Sequence, residues 1–149
     1  LNIKLKGVNG WLDERFKIAK LYQKLFTENN LSIYNNFEYS ENNKVILPVD
    51  IYENYDIKYT HTYNQYTIRV KDVRDELRSY LSSNGIGTQI YYPLPLHLQK
   101  CFNYQVTTND EFAVSNTLAN ETIALPIYPG LKDEEVEFVV NTIKSFFNN

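Results

Sequence analysis

Residues 85–99 read GIGTQIYYPLPLHLQ and combine a short apolar run with two tyrosines, two prolines and a histidine. The run over 86–92 predicts a strand, and the prolines end it because a proline ring has no N–H to donate to a ladder. Side chains that follow such a strand lie on a rigid, extended turn, where they can meet a small molecule. The stretch therefore predicts a ligand site at the end of a strand.

The segments before this stretch predict two strands and a helix. Residues 45–47 form a brief apolar run, and 61–70 alternate between apolar and polar side chains, which is typical of a half-buried strand. Asp72 and Asp75, three residues apart, resemble a capping arrangement and predict a helix after them. We expect this helix to end at Gly85, because glycine supplies the left-handed position at helix C-termini.

The segments after the stretch predict three further helices and a strand. Residues 96–102 are consistent with a short helix, 109–119 with a longer one, and Thr122–Leu125 with a strand ended by a proline. Acidic residues at 133–135 favour the first turn of a last helix, whose apolar stripe comprises Val136, Val139, Val140, Ile143, Phe146 and Phe147. This order predicts an α+β fold, with a small, mostly antiparallel sheet and helices packed on one face.

Apolar residues at helical spacing over 1–25 predict a first helix. Gly7 and Gly10 weaken it by about 1 kcal/mol each relative to alanine. The chain contains no methionine, and Leu1 already lies within the helical pattern. We therefore interpret the sequence as a piece of a longer protein.

Composition excludes several classes of function. The 149 residues are 43% hydrophobic and 22% charged, with a net charge of −3, as expected of one globular domain. No basic stripe favours nucleic acid as a partner, and no apolar run is long enough to span a membrane. A single cysteine, Cys101, forms no internal disulfide, which fits a reducing compartment. The two widely spaced histidines make a metal site an unfavoured interpretation.

Four motifs together resemble a known family. Residues 61–69 (HTYNQYTIR), 74–77 (RDEL), 85–99 and 123–131 (IALPIYPGL) occur in the order and spacing of the C-terminal part of the DegT/DnrJ/EryC1/StrS family. Residues 1–22 resemble the helix that links the large and small domains of that family. Members are pyridoxal-phosphate-dependent nucleotide-sugar aminotransferases of fold type I. The family often has His-Tyr-Pro where this chain has Tyr91-Tyr92-Pro93.

The resemblance implies a division of labour between this chain and a preceding large domain. Residues 1–30 would be the linking helix and 31–149 the small domain. The lysine that carries pyridoxal phosphate and the main cofactor contacts belong to the large domain, so we expect no catalytic, cofactor-binding or metal-binding residue here and no activity of this chain alone. The parent enzyme would transfer an amino group from glutamate to a nucleotide-linked keto-sugar, as a cytoplasmic homodimer.

The same resemblance gives this chain a substrate-binding role, with four candidate residues: Tyr91, Tyr92, His97 and Gln99. Each has a structural alternative. The tyrosines alternate on the predicted strand, so one can pack in the core while the other faces a cleft. His97 can be satisfied by nearby backbone, and Gln99 can be an ordinary surface residue.

Two other functions remain open from the sequence. The chain could be a stand-alone, non-catalytic α+β module that binds sugars or another protein. It could also belong to a pyridoxal-phosphate-dependent sugar dehydratase, in which a histidine replaces the lysine. Sequence preceding Leu1 distinguishes these alternatives from the aminotransferase.

Overall fold

The computed structural model describes residues 2–102 and 109–148. Within these ranges, no helix is both long enough and apolar enough to cross a membrane. The helices are α1 (Asn2–Leu5), α2 (Val8–Glu28), α3 (Arg74–Ser83), α4 (Ala113–Glu121) and α5 (Asp133–Asn148). The strands are β1 (Val45–Ile46), β2 (Tyr66–Val70) and β3 (Thr122–Leu125). Short 3₁₀ helices occupy Leu96–Leu98, Lys100–Phe102 and Asn109–Phe112.

The described strands form one antiparallel sheet in the order β1-β2-β3. β2 is central, with Val70 opposite Val45 on one side and Ile68 opposite Ile123 on the other. Its burial alternates as its sequence predicts, because Tyr66, Ile68 and Val70 are buried while the residues between them are partly exposed. The predicted α+β class with a small antiparallel sheet is confirmed.

Three helices pack against one face of this sheet. Their buried side chains share a single core with the inward residues of the strands; from α2 they are Ile18, Ala19, Tyr22 and Phe26, from α3 Leu77 and Leu81, and from α5 Val136, Val139, Val140 and Ile143. The predicted stripe of α5 is therefore buried, with Phe146 and Phe147 partly buried at its end. The hydroxyl of Tyr22 donates to the carbonyl of Pro126 at 3.0 Å, which joins α2 to the segment after β3.

The predicted first helix is divided at Gly7, and Leu1 lies outside the described residues. A Cβ at Gly7 would come within 3.0 Å of the Trp11 ring, so the indole packs directly on the glycine. The side chains of Ile3 and Leu5 are exposed, so α1 contributes nothing to the core.

The predicted cap of α3 by Asp72 is wrong. The structure places Asp72 at φ +63° and gives α3 no side-chain cap, with Val73 at the N-cap position. Asp75 instead accepts a hydrogen bond from Arg74 Nε at 2.7 Å. The carboxylate of Asp75, which the spacing predicts to cap the start of α3, is therefore bound by the neighbouring Arg74.

The predicted end of α3 is confirmed. Gly85 has φ +76°, and the N–H of Ile86 donates to the carbonyl of Leu81 at 2.9 Å while Gly85 N–H donates to Ser82 O at 3.0 Å. This is a Schellman motif, with Ile86 and Leu81 as its buried apolar pair.

The predicted strand over 86–92 is much shorter than expected. Only Gln89 pairs with β3, through reciprocal hydrogen bonds to Ala124 of 3.2 and 2.7 Å. Ile86 is engaged in the end of α3, and Gly87 next to it has a low preference for strands. Pro93 prevents extension at the other end. A single bridge therefore replaces a fourth strand.

Candidate functional site

A strained turn before β2 carries Asn64 and Gln65. Tyr63, directly before them, has φ +45°, a left-handed conformation that costs a non-glycine residue about 1–2 kcal/mol. Its backbone N–H donates to His61 Nδ1 at 2.9 Å, and the two rings lie 4.2 Å apart. Such strain persists only where the surroundings fix the backbone. The backbone that carries Asn64 and Gln65 is therefore held in a defined position.

Arg15 of α2 connects this turn to the segment after β3. Its Nη1 donates to the carbonyls of Tyr63 at 3.1 Å, Asn64 at 3.3 Å and Ile127 at 3.0 Å. The first two acceptors and the third are far apart in sequence, yet one guanidinium nitrogen serves all three. Arg15 thus fixes the relative position of two loops that surround a cavity.

Two cavities adjoin at Asn64 and Gln65. The smaller, about 180 Å³, lies between the turn and the segment that bridges β3. Its lining residues are Asn64, Gln65, Gly87, Thr88, Gln89, Tyr91, Ala124, Leu125, Pro126 and Ile127. The other, about 370 Å³, is lined by Pro48, His61, Thr62, Asn64, Gln65 and Thr67. None of these lining side chains is Lys, Arg, Asp or Glu, so the paired cavities are polar, and His61 in the second cavity is the one basic side chain among the residues named.

The structure places one of the predicted residues, Tyr91, in the lining of the smaller cavity. Tyr92 lies edge-on to it, with ring centroids 5.8 Å apart, and is 73% exposed. A cis peptide bond joins the two tyrosines. Both rings are accessible, and neither enters the core.

His97 and Gln99 lie apart from these cavities. The His97 ring stacks on Phe112 at 4.4 Å, and its Nε2 is buried without a hydrogen-bond partner among the described residues. Gln99 is exposed at the end of a 3₁₀ helix, where its N–H donates to the carbonyl of Leu96. Neither residue is part of the lining that contains Tyr91.

Our sequence-based candidates omit three residues that the structure brings to the cavity: Asn64, Gln65 and Gln89. The pattern at 61–70 indicated a strand beginning near His61, whereas β2 begins at Tyr66. Asn64 and Gln65 therefore belong to a turn, and amides on a turn beside a predicted strand are the signal that could have identified them. The approach of Gln89 depends on its bridge to β3, which is a tertiary feature.

A larger cavity of about 500 Å³ lies elsewhere, sharing only Gly87 and Pro126 with the smaller one. Its walls are mainly apolar, from Ile86, Leu131 and Val139, with Glu134 and Glu135 at the start of α5. Glu135 accepts a hydrogen bond from the N–H of Lys132 at 2.9 Å and so stabilises the helix start. No sequence-predicted binding residue lines this cavity.

The tyrosines near the turn are held in their protonated form. Burial raises the pKa of Tyr63 to about 12, and the negative charge of Asp50 adds to the shift. Burial likewise holds the pKa of Tyr66 well above its usual range. These hydroxyls can therefore donate hydrogen bonds at neutral pH but supply no phenolate base.

Among residues 2–102 and 109–148, no group of three His, Cys, Asp or Glu side chains could hold a metal ion. What the two cavities offer is amide, hydroxyl and aromatic groups without formal charge. Such groups orient a polar, uncharged ligand.

The family model described as the DegT/DnrJ/EryC1/StrS aminotransferase family matches residues 1–144. The chain belongs to this family. The match runs from α1 into α5 and includes both the turn at Asn64 and the segment at Tyr91.

Similar proteins agree with this assignment. A "Pleiotropic regulatory protein" of Geobacillus stearothermophilus is 32% identical over 149 residues, which is all of this chain and 36% of that protein. A UDP-N-acetyl-3-dehydro-alpha-D-glucosamine 3-aminotransferase of Acidithiobacillus ferrooxidans is 35% identical over 86 residues, covering 58% of this chain and 22% of that protein. The chain thus spans about a third or less of the length of these relatives.

Solved structures share the fold. DesV of S. venezuelae, in complex with a ketimine intermediate, superposes with a TM-score of 0.76 over 99% of this chain and 35% of its own, at 23% identity. An aminotransferase of the family from Brucella abortus gives the same TM-score over 100% of this chain and 34% of its own, also at 23% identity. The architecture is therefore that of the corresponding part of sugar aminotransferases of fold type I.

Pyridoxal phosphate, the cofactor that the family implies, needs a lysine amine for its covalent attachment and donors for its phosphate. Within the described part of the chain, neither cavity is lined by a lysine or an arginine. These residues do not fit the cofactor by themselves, and we assign none of them to it.

Proposed function

We propose that this chain is the C-terminal domain of a nucleotide-sugar aminotransferase and forms one wall of its substrate cleft. The parent enzyme transfers an amino group, from glutamate, to a keto-sugar linked to a nucleotide. The observation that carries the proposal is the uncharged polar cavity between the turn at Asn64 and the segment at Tyr91, within a chain of this family. The named aminotransferase of A. ferrooxidans and the structure of DesV support the class of reaction.

In this proposal, residues 1–30 link the domain to a preceding large domain and residues 31–149 form the small domain. The exposed Ile3 and Leu5 of α1 support this division, because apolar side chains on a linking helix require a partner surface. Pyridoxal phosphate, when bound by the parent, supplies the electron sink for the amino-group chemistry. We further propose a cytoplasmic homodimer, as the family implies.

We propose four substrate contacts, for which the supporting observations differ in strength: Tyr91, Tyr92, His97 and Gln99. Tyr91 has the best support because it lines the cavity, and Tyr92 lies beside it. His97 packs on Phe112, so a contact between its ring and the substrate requires that the ring leave this stack.

Two measurements test the proposal. The first adds pyridoxal phosphate to the 149-residue chain and follows absorbance and borohydride trapping. The proposal predicts no stoichiometric covalent adduct, and a trapped adduct on any lysine of this chain would contradict it.

The second measurement expresses the whole reading frame that encodes this segment and supplies glutamate, pyridoxal phosphate and a UDP- or dTDP-linked keto-sugar. The expected product is the amino-sugar nucleotide together with 2-oxoglutarate, detected by mass spectrometry. Loss of a hydroxyl group from the sugar without amino transfer would instead identify a dehydratase and refute the aminotransferase assignment.

A further inference from the structure

The amide groups around the smaller cavity suit a ligand made of hydroxyl groups. Asn64, Gln65 and Gln89 each carry two N–H donors and a carbonyl acceptor, and a sugar hydroxyl both donates and accepts. Tyr91 adds an accessible aromatic ring that can lie against the apolar face of a sugar. The volume of about 180 Å³ equals that of roughly six water molecules, which is on the scale of one sugar ring and too small for a nucleotide.

The absence of charge among the lining residues restricts the ligand further. Phosphate groups are recognised by Arg and Lys, and neither residue lines the two cavities in the described part of the chain. Arg15 lies behind this lining, where its Nη1 donates to the carbonyls of Tyr63, Asn64 and Ile127. A carboxylate on the ligand would therefore find no lysine or arginine among the described lining residues to form a direct ion pair.

We propose that Asn64, Gln65 and Gln89 determine substrate specificity by binding the hydroxyl groups of an uncharged sugar ring and by disfavouring sugars that carry a carboxylate. The inference rests on the proposed function, because it assigns the sugar of the nucleotide-sugar substrate to this wall. It divides the possible substrates into neutral keto-sugars, which fit, and keto-uronates, which do not.

The two walls of the cavity are held in ways that suit this role. The amides of the turn stand on a strained backbone that Arg15 and His61 fix. Gln89 is held by backbone hydrogen bonds to Ala124 in both directions, so its side chain has no part in the bridge. A substitution of Gln89 should therefore change the cavity and leave the fold intact.

The experiment titrates the whole protein that contains this segment, ¹⁵N-labelled and free of cofactor, with UDP-N-acetylglucosamine, UDP-glucuronate and UDP, and follows side-chain NH₂ signals. The signals of Asn64, Gln65 and Gln89 report contact directly, and that of Asn141, exposed on α5, is the control. We expect the three signals to shift saturably with UDP-N-acetylglucosamine and to respond about tenfold more weakly to UDP-glucuronate, since an unpaired carboxylate in the cavity is penalised. UDP alone should leave them unchanged.

Two variants sharpen the result. Gln89→Ala should weaken the response of the neighbouring amides to the neutral sugar, whereas Asn141→Ala should leave it unchanged. Gln89→Arg, which supplies the missing cation, should reverse the preference in favour of UDP-glucuronate. Equal responses to the two sugars, responses to UDP alone, or no response of the three amides to either sugar would overturn the proposal. No cofactor or amino donor is present, so this outcome is independent of whether the parent enzyme is an aminotransferase.

Discussion

Arg15→Met should destabilise the fold by about 3 kcal/mol, because one guanidinium nitrogen holds the turn before β2 and the segment after β3 together. Nη1 lies 3.0 to 3.3 Å from the carbonyls of Tyr63, Asn64 and Ile127. It carries two N–H groups for these three acceptors, so the contacts amount to about two hydrogen bonds from a charged donor, each contributing roughly 1.5–3 kcal/mol. Partial exposure of Arg15 places the total near the lower limit. The unfolding equilibrium should shift by roughly a hundredfold.

Urea denaturation at 25 °C, followed by far-ultraviolet circular dichroism, measures this change. Lys17→Met is the matched control, because Lys17 is an exposed residue one half-turn further along the same helix. Arg15→Lys keeps the charge but not the reach of the guanidinium, so it should recover only part of the loss. A loss below about 1 kcal/mol for Arg15→Met, comparable to an ordinary surface substitution, would refute the reasoning. An equal loss in Lys17→Met would do the same.

Further substitutions and a pH titration test other parts of the fold. Tyr66→Phe removes a buried hydroxyl with no partner among the described residues, so thermal denaturation should show unchanged stability or a gain of up to about 1 kcal/mol; a clear loss would reveal an unseen partner. Gly85→Ala should cost about 1–2 kcal/mol because φ is +76° there, whereas Gly10→Ala, in α2 with open space around its Cβ position, should gain up to about 1 kcal/mol in the same urea assay. The pKa of Tyr63, about 12 in the folded chain against about 10 for an exposed tyrosine, means that the unfolded chain releases this proton first, so the contribution of Tyr63 to stability is complete below pH 10 and is lost between pH 10 and 12. Burial also raises the pKa of Tyr22, Tyr39 and Tyr66, so the high-pH phase of the absorbance at 295 nm should shrink in Tyr63→Phe, and an unchanged phase would contradict the burial of Tyr63.

The sequence predicts those elements whose evidence is local. β2 and α5 each carry an apolar pattern with the correct period, and a single buried face satisfies each pattern. Gly85 is equally local, because only glycine readily adopts the left-handed conformation that ends α3.

Two sequence predictions differ from the structure because neighbouring groups compete for the same partner. They are the strand expected over 86–92 and the cap expected at Asp72. Ile86 matches a strand by composition, but the end of α3 already uses it as the apolar contact of a Schellman motif. Asp75 matches a capping box by spacing, but Arg74 binds its carboxylate. A short sequence pattern does not show which of two possible partners a given side chain will contact.

The candidate site was predictable only in part. Tyr91 follows from the proline-terminated run, because the side chains beside such a stop are exposed. Asn64 and Gln89 face the same cavity only because β3 lies between their segments and Arg15 holds the turn. This proximity arises from tertiary packing, and the periodicity of the sequence does not predict it.

The single bridge at Gln89 makes the two sides of the cavity mechanically unequal. Two hydrogen bonds, of 3.2 and 2.7 Å, attach the Tyr91 side to β3, and at about 1 kcal/mol each they oppose local opening by only about 2 kcal/mol. The opposite side is braced by Arg15 and by a buried tyrosine. The segment that carries Tyr91 can therefore move outward at a lower free-energy cost than the turn that carries Asn64 and Gln65. In the proposed substrate cleft, it is the side that would adjust to ring substituents of different size.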